Sequence, residues 1–343
     1  MSSADWNNFD INGPGIQGNL FGLPCTPEQA ALVLIPVPWE VTVSYREGTA
    51  LGPGAILKAS QQVDLFFREH PDLWKKGMAM LPIDPALLSQ NQHFRSLAAT
   101  HIEALESGQP VRAFIQEKVN TECSNLLIYV RNQALSLLQK RKLVGIVGGD
   151  HSSPLGLLQA LTTVHEQFGI LHFDAHMDLR KAYEGFTYSH GSIMYNALRM
   201  KAVTKLVQVG IRDYCQEEND RVTENNPRIK VFFDEDIRYS LDTVKSWEGI
   251  CREIIRELPE KVYISFDIDA LDPSLCPSTG SPVPGGLSFH QAVSLLRMLE
   301  EKGKQIIGFD LCEVAPDARN DYDANVGARL LFHLCHRTLA TNL

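Results

Sequence analysis

The sequence lacks the patterns that mark several classes of protein. Its seven cysteines are scattered and form no CxxC pair, which disfavours both a zinc ribbon and a disulfide framework. The net charge is −9 and no run of Lys and Arg is present, so nucleic acid is not an expected partner. No apolar run approaches the ~20 residues that a membrane span needs. The first residues, MSSADWNNFD, show neither the basic nor the apolar part of a signal peptide. We therefore expect a cytoplasmic protein with reduced thiols that does not enter a membrane.

Short apolar runs alternate with amphipathic stretches along the 343 residues. Continuous apolar character is typical of strands buried on both faces of a parallel sheet. The predicted strands are 31–37, 143–149, 169–175, 205–211, 229–233, 261–269 and 304–311. The predicted helices are 53–67, 113–140, 154–168, 193–201, 241–258, 288–302 and 324–340. This alternation predicts a three-layer α/β/α fold with helices on both faces of a mainly parallel sheet.

We expect one domain over residues 1–343. Residues 1–30 are rich in Gly, Pro and Asn, and this composition favours an irregular N-terminal arm. Residues 84–130 begin with a polar, weakly periodic stretch. We interpret this region as an elaboration on the core and not as a second domain.

Three predicted strands end in unusual polar residues. GIVGGDHSS (145–153) carries His151, HFDAHMDLR (172–180) carries Asp174, His176 and Asp178, and SFDIDALDPS (265–274) carries Asp267 and Asp269. Residues i, i+2 and i+4 of an extended chain share one face. The carboxyl ends of parallel strands also meet at one edge of the sheet. Two imidazoles and four carboxylates are therefore expected to converge there.

Burying four carboxylates together is costly unless cations pair with them. Two divalent metal ions would balance the four negative charges. Mixed ligation by His and carboxylates suits manganese, nickel, zinc or iron, whereas His argues against magnesium and calcium. The set therefore predicts a dinuclear metal site.

The same motifs carry a family resemblance. GGDHS, DAHMD and SFDIDALDPS resemble the metal-binding motifs of the ureohydrolase (arginase–agmatinase) family, and SYREGTALGPGAI (44–56) resembles an upstream family segment. The resemblance implies an arginase-like eight-stranded sheet and a binuclear manganese hydrolase that splits a guanidino or amidino group. Nickel is the alternative metal, because it generally binds such sites more tightly than manganese. By this likeness, one metal is held by His151, Asp174, Asp178 and Asp267, and the other by His176, Asp174, Asp267 and Asp269.

The resemblance also implies catalytic roles for three residues. Asp178 would orient the attacking water, and His190 in YSHGS would protonate the departing amine. Glu313 in DLCEVAP (310–316) would hydrogen-bond the guanidinium, since a carboxylate can accept two parallel bonds from it. His172 is expected to be a packed core histidine, and Asp310 a buried structural partner.

The sequence leaves the identity of the substrate undecided. The segment LRKAYEGFTYS (179–189) replaces the Asn- and Ser-containing segment with which arginases bind the amino acid, which disfavours arginine. Arg180 would suit a carboxylate-bearing substrate or form an outward salt bridge. Tyr183 and Tyr188, with Trp39, would either line a narrow pocket and stack on a guanidinium or simply pack in the core. A narrow aromatic pocket would favour a short substrate.

Three hypotheses therefore stand at this point. The first is an agmatinase-like enzyme that acts on agmatine, guanidine or guanidinobutyrate and releases urea. The second is a formimidoylglutamase that releases formamide. The third is a non-catalytic, metal-binding subunit of ureohydrolase-like fold. The family's habit also implies a homo-oligomer, trimeric or hexameric.

Overall fold

Eight strands form one sheet in the order β2-β1-β3-β8-β7-β4-β5-β6. The computed structural model describes residue 6, residues 9–223 and residues 226–343. The strands are β1 Leu32–Val37, β2 Met78–Met80, β3 Leu143–Gly148, β4 Phe168–Phe173, β5 Val203–Ile211, β6 Ile229–Phe233, β7 Lys261–Asp267 and β8 Gln305–Cys312. Every neighbouring pair runs parallel.

Ten α-helices lie among the described residues. They are α1 Gly52–Ser60, α2 Pro85–Glu106, α3 Ala113–Gln139, α4 Leu155–Leu161, α5 Ile193–Leu198, α6 Gln216–Thr223, α7 Asp234–Thr243, α8 Trp247–Glu257, α9 Phe289–Glu301 and α10 Tyr322–Ala340. No helix in the described part of the chain is long and apolar enough to cross a membrane.

The strands are covered on both faces. Every residue of β1 and of β4 is buried, which is the reason these segments read as continuous apolar runs. The prediction of a three-layer α/β fold with a parallel sheet is confirmed. The short edge strand β2 was missed, because three residues give no recognisable period.

The region 84–130 contains α2 and most of α3, which pack against each other. Asp84 caps α2 by accepting a hydrogen bond from the Ala86 amide. The sequence did not predict α2, because only five of its 22 residues are buried and its apolar stripe is weak. Of the expected arm at 1–30, residues 1–5, 7 and 8 lie outside the described residues, whereas Leu20 and Leu23 are buried in the core.

The sheet order sets the position of the motif residues. The four central strands, β3, β8, β7 and β4, are adjacent, and each is followed at its carboxyl end by one of the polar motifs. Their parallel direction brings these ends to one edge of the sheet.

Candidate metal centre and active site

The polar residues converge at this edge, although not by the extended geometry that the alternation suggested. β4 ends at Phe173, and Asp178 has a positive φ of 54°. Asp269 lies in a single 3₁₀ turn at Ile268–Ala270. The expectation that an extended chain aligns these side chains is therefore wrong.

The carboxylates are oriented by hydrogen bonds from backbone amides and not by an extended strand. Asp174 Oδ1 accepts from the His176 amide at 2.6 Å, and Asp267 Oδ1 accepts from the Asp269 amide at 2.8 Å. The Ala175 amide donates to Asp269 Oδ1 at 2.9 Å, which links the two motifs. Each turn thus orients its own carboxylates toward the same point.

Two imidazoles face these carboxylates. His151 Nδ1 lies 3.1 Å from Asp174 Oδ2, 3.1 Å from Asp178 Oδ2 and 3.4 Å from Asp267 Oδ2. His176 Nδ1 lies 3.1 Å from Asp269 Oδ2 and 3.4 Å from Asp174 Oδ1. The structure therefore brings all six sequence-predicted metal ligands into one cluster, with Asp174 between the two histidines.

The electrostatics of this cluster are unfavourable without added positive charge. Burial, followed by the charges of Asp269 and Asp174, raises the pKa of Asp267 well above its ordinary value. Burial and the charge of Asp174 raise the pKa of Asp178 to about 6. Burial opposes ionisation of Asp174 as well, but His172 and His151 hold its pKa well below the usual range. The donor set, buried oxygens and imidazole nitrogens in close proximity, fits a pair of divalent cations.

A layer of hydrogen bonds supports His151. Its Nε2 lies 2.9 Å from Ser265 Oγ, which donates to Asp310 Oδ2 at 2.8 Å. Asp310 is fully buried and also accepts from the Phe266 amide. It is thus the buried structural partner that the sequence suggested, and it fixes the ring of a candidate ligand.

His172 does more than pack in the core. It is fully buried, and its Nε2 lies 2.9 Å from Asp174 Oδ2. Gln208 Nε2 donates to His172 Nδ1 at 2.9 Å and to the Met177 carbonyl oxygen at 2.7 Å. Since an amide nitrogen only donates, Nδ1 must accept, and the proton lies on Nε2 facing Asp174. This bond was not predicted from the sequence, although the two-residue spacing between His172 and Asp174 was a usable signal.

The cluster opens into a cavity of about 360 Å³. Of the residues proposed from the sequence for catalysis or substrate binding, Asp178, Arg180, Tyr183, His190 and Glu313 line it.

Two aromatic residues proposed for substrate binding do not line the cavity. Trp39 is only 1% exposed and belongs to the core, where its carbonyl oxygen accepts from the Asp150 amide. Tyr188 packs against the core and is not among the cavity residues that the structure describes. Both assignments are corrected, because an aromatic run in a sequence does not distinguish a pocket wall from packing.

Tyr183 lies in the cavity wall between two other proposed site residues. The Arg180 guanidinium carbon lies 4.8 Å from the centroid of the Tyr183 ring. The His190 ring packs edge-on against the same ring, with 5.4 Å between the two centroids. Arg180 Nε is also 3.7 Å from Glu218 Oε2. Arg180 therefore both lines the cavity and pairs with a carboxylate that is 3% exposed.

Two further groups face the cavity with perturbed pKa values. Burial, followed by the charge of His176, lowers the pKa of His190 to about 3, so its imidazole is neutral near pH 7. Burial raises the pKa of Glu313 well above its ordinary value. Glu313 Oε1 accepts from the His151 amide at 2.9 Å, whereas Oε2 faces Gly280. The hydrogen bond from the His151 amide fixes the Glu313 side chain beside the metal cluster.

Comparisons with known proteins agree with this geometry. The model of the arginase family matches residues 30–336. The chain is 34% identical over 316 residues to an N(1)-aminopropylagmatine ureohydrolase of Thermus thermophilus, covering 92% of each chain. It is 30% identical over 307 residues to an agmatinase of Neisseria gonorrhoeae, covering 89% of this chain and 86% of that protein. The solved agmatine ureohydrolase of Thermoplasma volcanium shares the fold, with a TM-score of 0.70 at 22% identity over 97% of this chain and 96% of the other.

Proposed function

The chain belongs to the arginase family, and we propose that it hydrolyses the guanidino group of agmatine or a shorter compound and releases urea. As a member of this family it is a ureohydrolase, a hydrolase of carbon–nitrogen bonds in linear amidines. The observation that carries the proposal is the buried cluster of imidazoles and carboxylates, which opens directly into the cavity that Glu313 lines.

The cluster would hold two divalent cations, manganese in the first instance and nickel as the alternative. His151, Asp174, Asp178 and Asp267 would bind one, and His176, Asp174, Asp267 and Asp269 the other. Two such cations, when bound, acidify water and neutralise developing negative charge. That chemistry suits a guanidinium carbon, which resonance makes a poor electrophile.

The side chains around the cluster would divide the remaining work. Asp178 accepts a hydrogen bond from the attacking water and holds its lone pair toward the substrate carbon. Glu313 accepts from the guanidinium N–H groups. His190 is neutral near pH 7, so one ring nitrogen carries a proton and the other is a free acceptor. The protonated nitrogen donates to the leaving amine, and the other nitrogen takes up the proton that the attacking water loses.

The charges in the cavity favour a cationic substrate over a carboxylate-bearing one. Asp213 lies at the cavity and is exposed, and Glu218 offsets the charge of Arg180 at 3.7 Å. Because Arg180 is already paired, it offers little free charge to a second carboxylate, which argues against formimidoylglutamate. The relatives' names add aminopropylagmatine to the compounds worth testing. The intact ligand cluster argues against a non-catalytic subunit.

The test is urea release after loading with manganese or with nickel. The panel contains agmatine, aminopropylagmatine, guanidine, guanidinobutyrate and arginine, with formamide release from formimidoylglutamate measured in parallel. We expect agmatine or a shorter guanidino compound to give the highest kcat/KM. Absence of urea from every compound would refute the proposal, and formamide release alone would replace it. The homo-oligomer stays a prediction, which sedimentation velocity of the metal-loaded protein would test.

A further inference from the structure

A tight turn at Tyr183–Phe186 connects the cavity wall to helices outside the cavity. The Tyr183 amide donates to the Phe186 carbonyl at 3.1 Å, and the Phe186 amide donates back at 2.8 Å. Glu184 and Gly185, the two central residues, have φ values of 52° and 85°. Two successive positive φ values are the signature of a type I′ turn. A left-handed glutamate is unfavourable by itself, so other contacts must hold the turn.

Helices α2 and α3 provide these contacts. His101 Nε2 on α2 lies 3.0 Å from the Glu184 carbonyl oxygen. Gln116 and Asn120 on α3 both donate to the Gly185 carbonyl oxygen, at 2.8 Å and 3.0 Å. The i, i+4 spacing of these two amides places them on one face of α3.

The contacts continue on either side of the turn carbonyls. Asn120 Oδ1 accepts from the Thr187 amide at 2.8 Å, and the fully buried Phe186 ring lies 5.1 Å from the His101 ring. A Cβ at Gly185 would stand 2.5 Å from Gln116 Nε2, so the turn sits directly against α3.

The other end of the turn faces the substrate. Tyr183 lines the cavity, where its ring meets Arg180 and His190. Its hydroxyl accepts from Ser44 Oγ at 3.5 Å. None of the α2 and α3 residues that hold the turn is among the described residues lining the cavity.

We propose that His101, Gln116 and Asn120 are positioning residues, which fix Tyr183 in the cavity wall through the 183–186 turn and thereby set which guanidino substrates fit. The proposal rests on the proposed function for its substrate class. Helices α2 and α3 would thus take part in substrate selection. They would do so indirectly, because the three residues that hold the turn do not themselves line the cavity.

The double variant Gln116→Ala/Asn120→Ala tests the proposal. We expect KM for the best substrate to rise about tenfold, equal to about 1.4 kcal/mol, with kcat changed less than about threefold and metal content unchanged. Hydrogen exchange at the backbone amides of residues 183–190 should accelerate. The matched control is Asn125→Ala, since Asn125 lies on α3, is exposed, and among the described side-chain hydrogen bonds makes one to Glu122 of its own helix and none to the turn. The control should behave as wild type in both measurements.

An unchanged KM, or unchanged exchange over 183–190, would overturn the proposal. If the double variant does not fold, Asn120→Asp replaces it, because aspartate keeps the acceptor for the Thr187 amide and removes the donor to Gly185. If the wild type releases no urea from any compound, the proposed function fails, whereas the exchange measurement still decides whether α3 holds the turn.

Discussion

Replacing Asp178 by asparagine is expected to stabilise the metal-free protein while removing most of its activity. The substitution keeps the shape of the side chain and removes one buried charge. The residue has a φ of 54°, a conformation that asparagine tolerates as readily as aspartate. Any change in stability should therefore come from the charge and not from the backbone.

The magnitude follows from the pKa of the Asp178 carboxyl, which burial and Asp174 raise from 3.8 to about 6. Because the pKa in the folded state is raised, the protonated carboxyl stabilises the fold fully below pH ~4, and this contribution is lost as pH rises through 6. Above that pH the charged form costs about 3 kcal/mol, at about 1.4 kcal/mol per pKa unit. Asparagine avoids this cost but weakens the contact with His151, so a net gain of about 1–3 kcal/mol is expected at pH 8.

The measurement is denaturant unfolding of chelator-treated protein between pH 4 and pH 8. The stability difference should grow between about pH 4 and pH 6 and stay constant above. Asp213→Asn is the matched control, because it removes the same charge from a side chain that is 68% exposed. A metal-free Asp178→Asn protein that is less stable than wild type at pH 8, or a difference that is independent of pH, would refute the reasoning. When manganese is added back, wild type should become more stable than Asp178→Asn, because wild type binds the metal more tightly.

Three further substitutions test the surroundings of the cluster. His172→Phe keeps the ring volume but removes the donor to Asp174, and should weaken metal binding about 10- to 100-fold, measured by competition with a fluorescent chelator; unchanged affinity would show that the bond does not matter. Glu313→Gln should lower kcat/KM by about 10- to 100-fold at unchanged metal content, and loss of metal instead would assign Glu313 to the cluster. Gly149→Ala places a Cβ on the Trp39 carbonyl oxygen and should destabilise the fold by more than about 3 kcal/mol. Thermal unfolding or loss of soluble protein would reveal this, whereas a Tm within about 1–2 °C of wild type would contradict it.

The sheet was predictable because burial on both faces makes parallel strands apolar throughout. The segment 229–233 matches β6 in both bounds, and 143–149 differs from β3 by one residue. The shared edge of the sheet then followed from the parallel direction alone. The sequence was misleading where packing decides the position of a side chain. Trp39 and Tyr188 were expected in the pocket, yet both pack in or against the core. Tyr183 does line the cavity, and so do Tyr45 and Tyr214, which the sequence did not single out.

The polar helix α2 shows a second limit. Its residues bury little apolar surface, so hydrophobic periodicity could not reveal it. At the 183–186 turn, α2 and α3 contact the rest of the chain through side chains that hydrogen-bond backbone carbonyl oxygens. Amides and imidazoles in a sequence do not show which carbonyl they will meet, because here that carbonyl lies 65, 69 or 83 positions away along the chain.

The deepest limit concerns the backbone at the site itself. Five non-glycine residues of the described chain have positive φ, and three of them, Asp178, Glu184 and Glu313, lie at the cavity or in the turn that supports it. Such conformations persist only where surrounding contacts over-determine them. The Asp178 carbonyl accepts from the Met194 and Tyr195 amides, and the Glu313 amide donates to Gly149. A strand extended through HFDAHMD would send its side chains along one face of the sheet. The left-handed residue at 178 turns its carboxylate toward His151 instead, so this stretch joins a closed cluster only because later parts of the chain hold that turn.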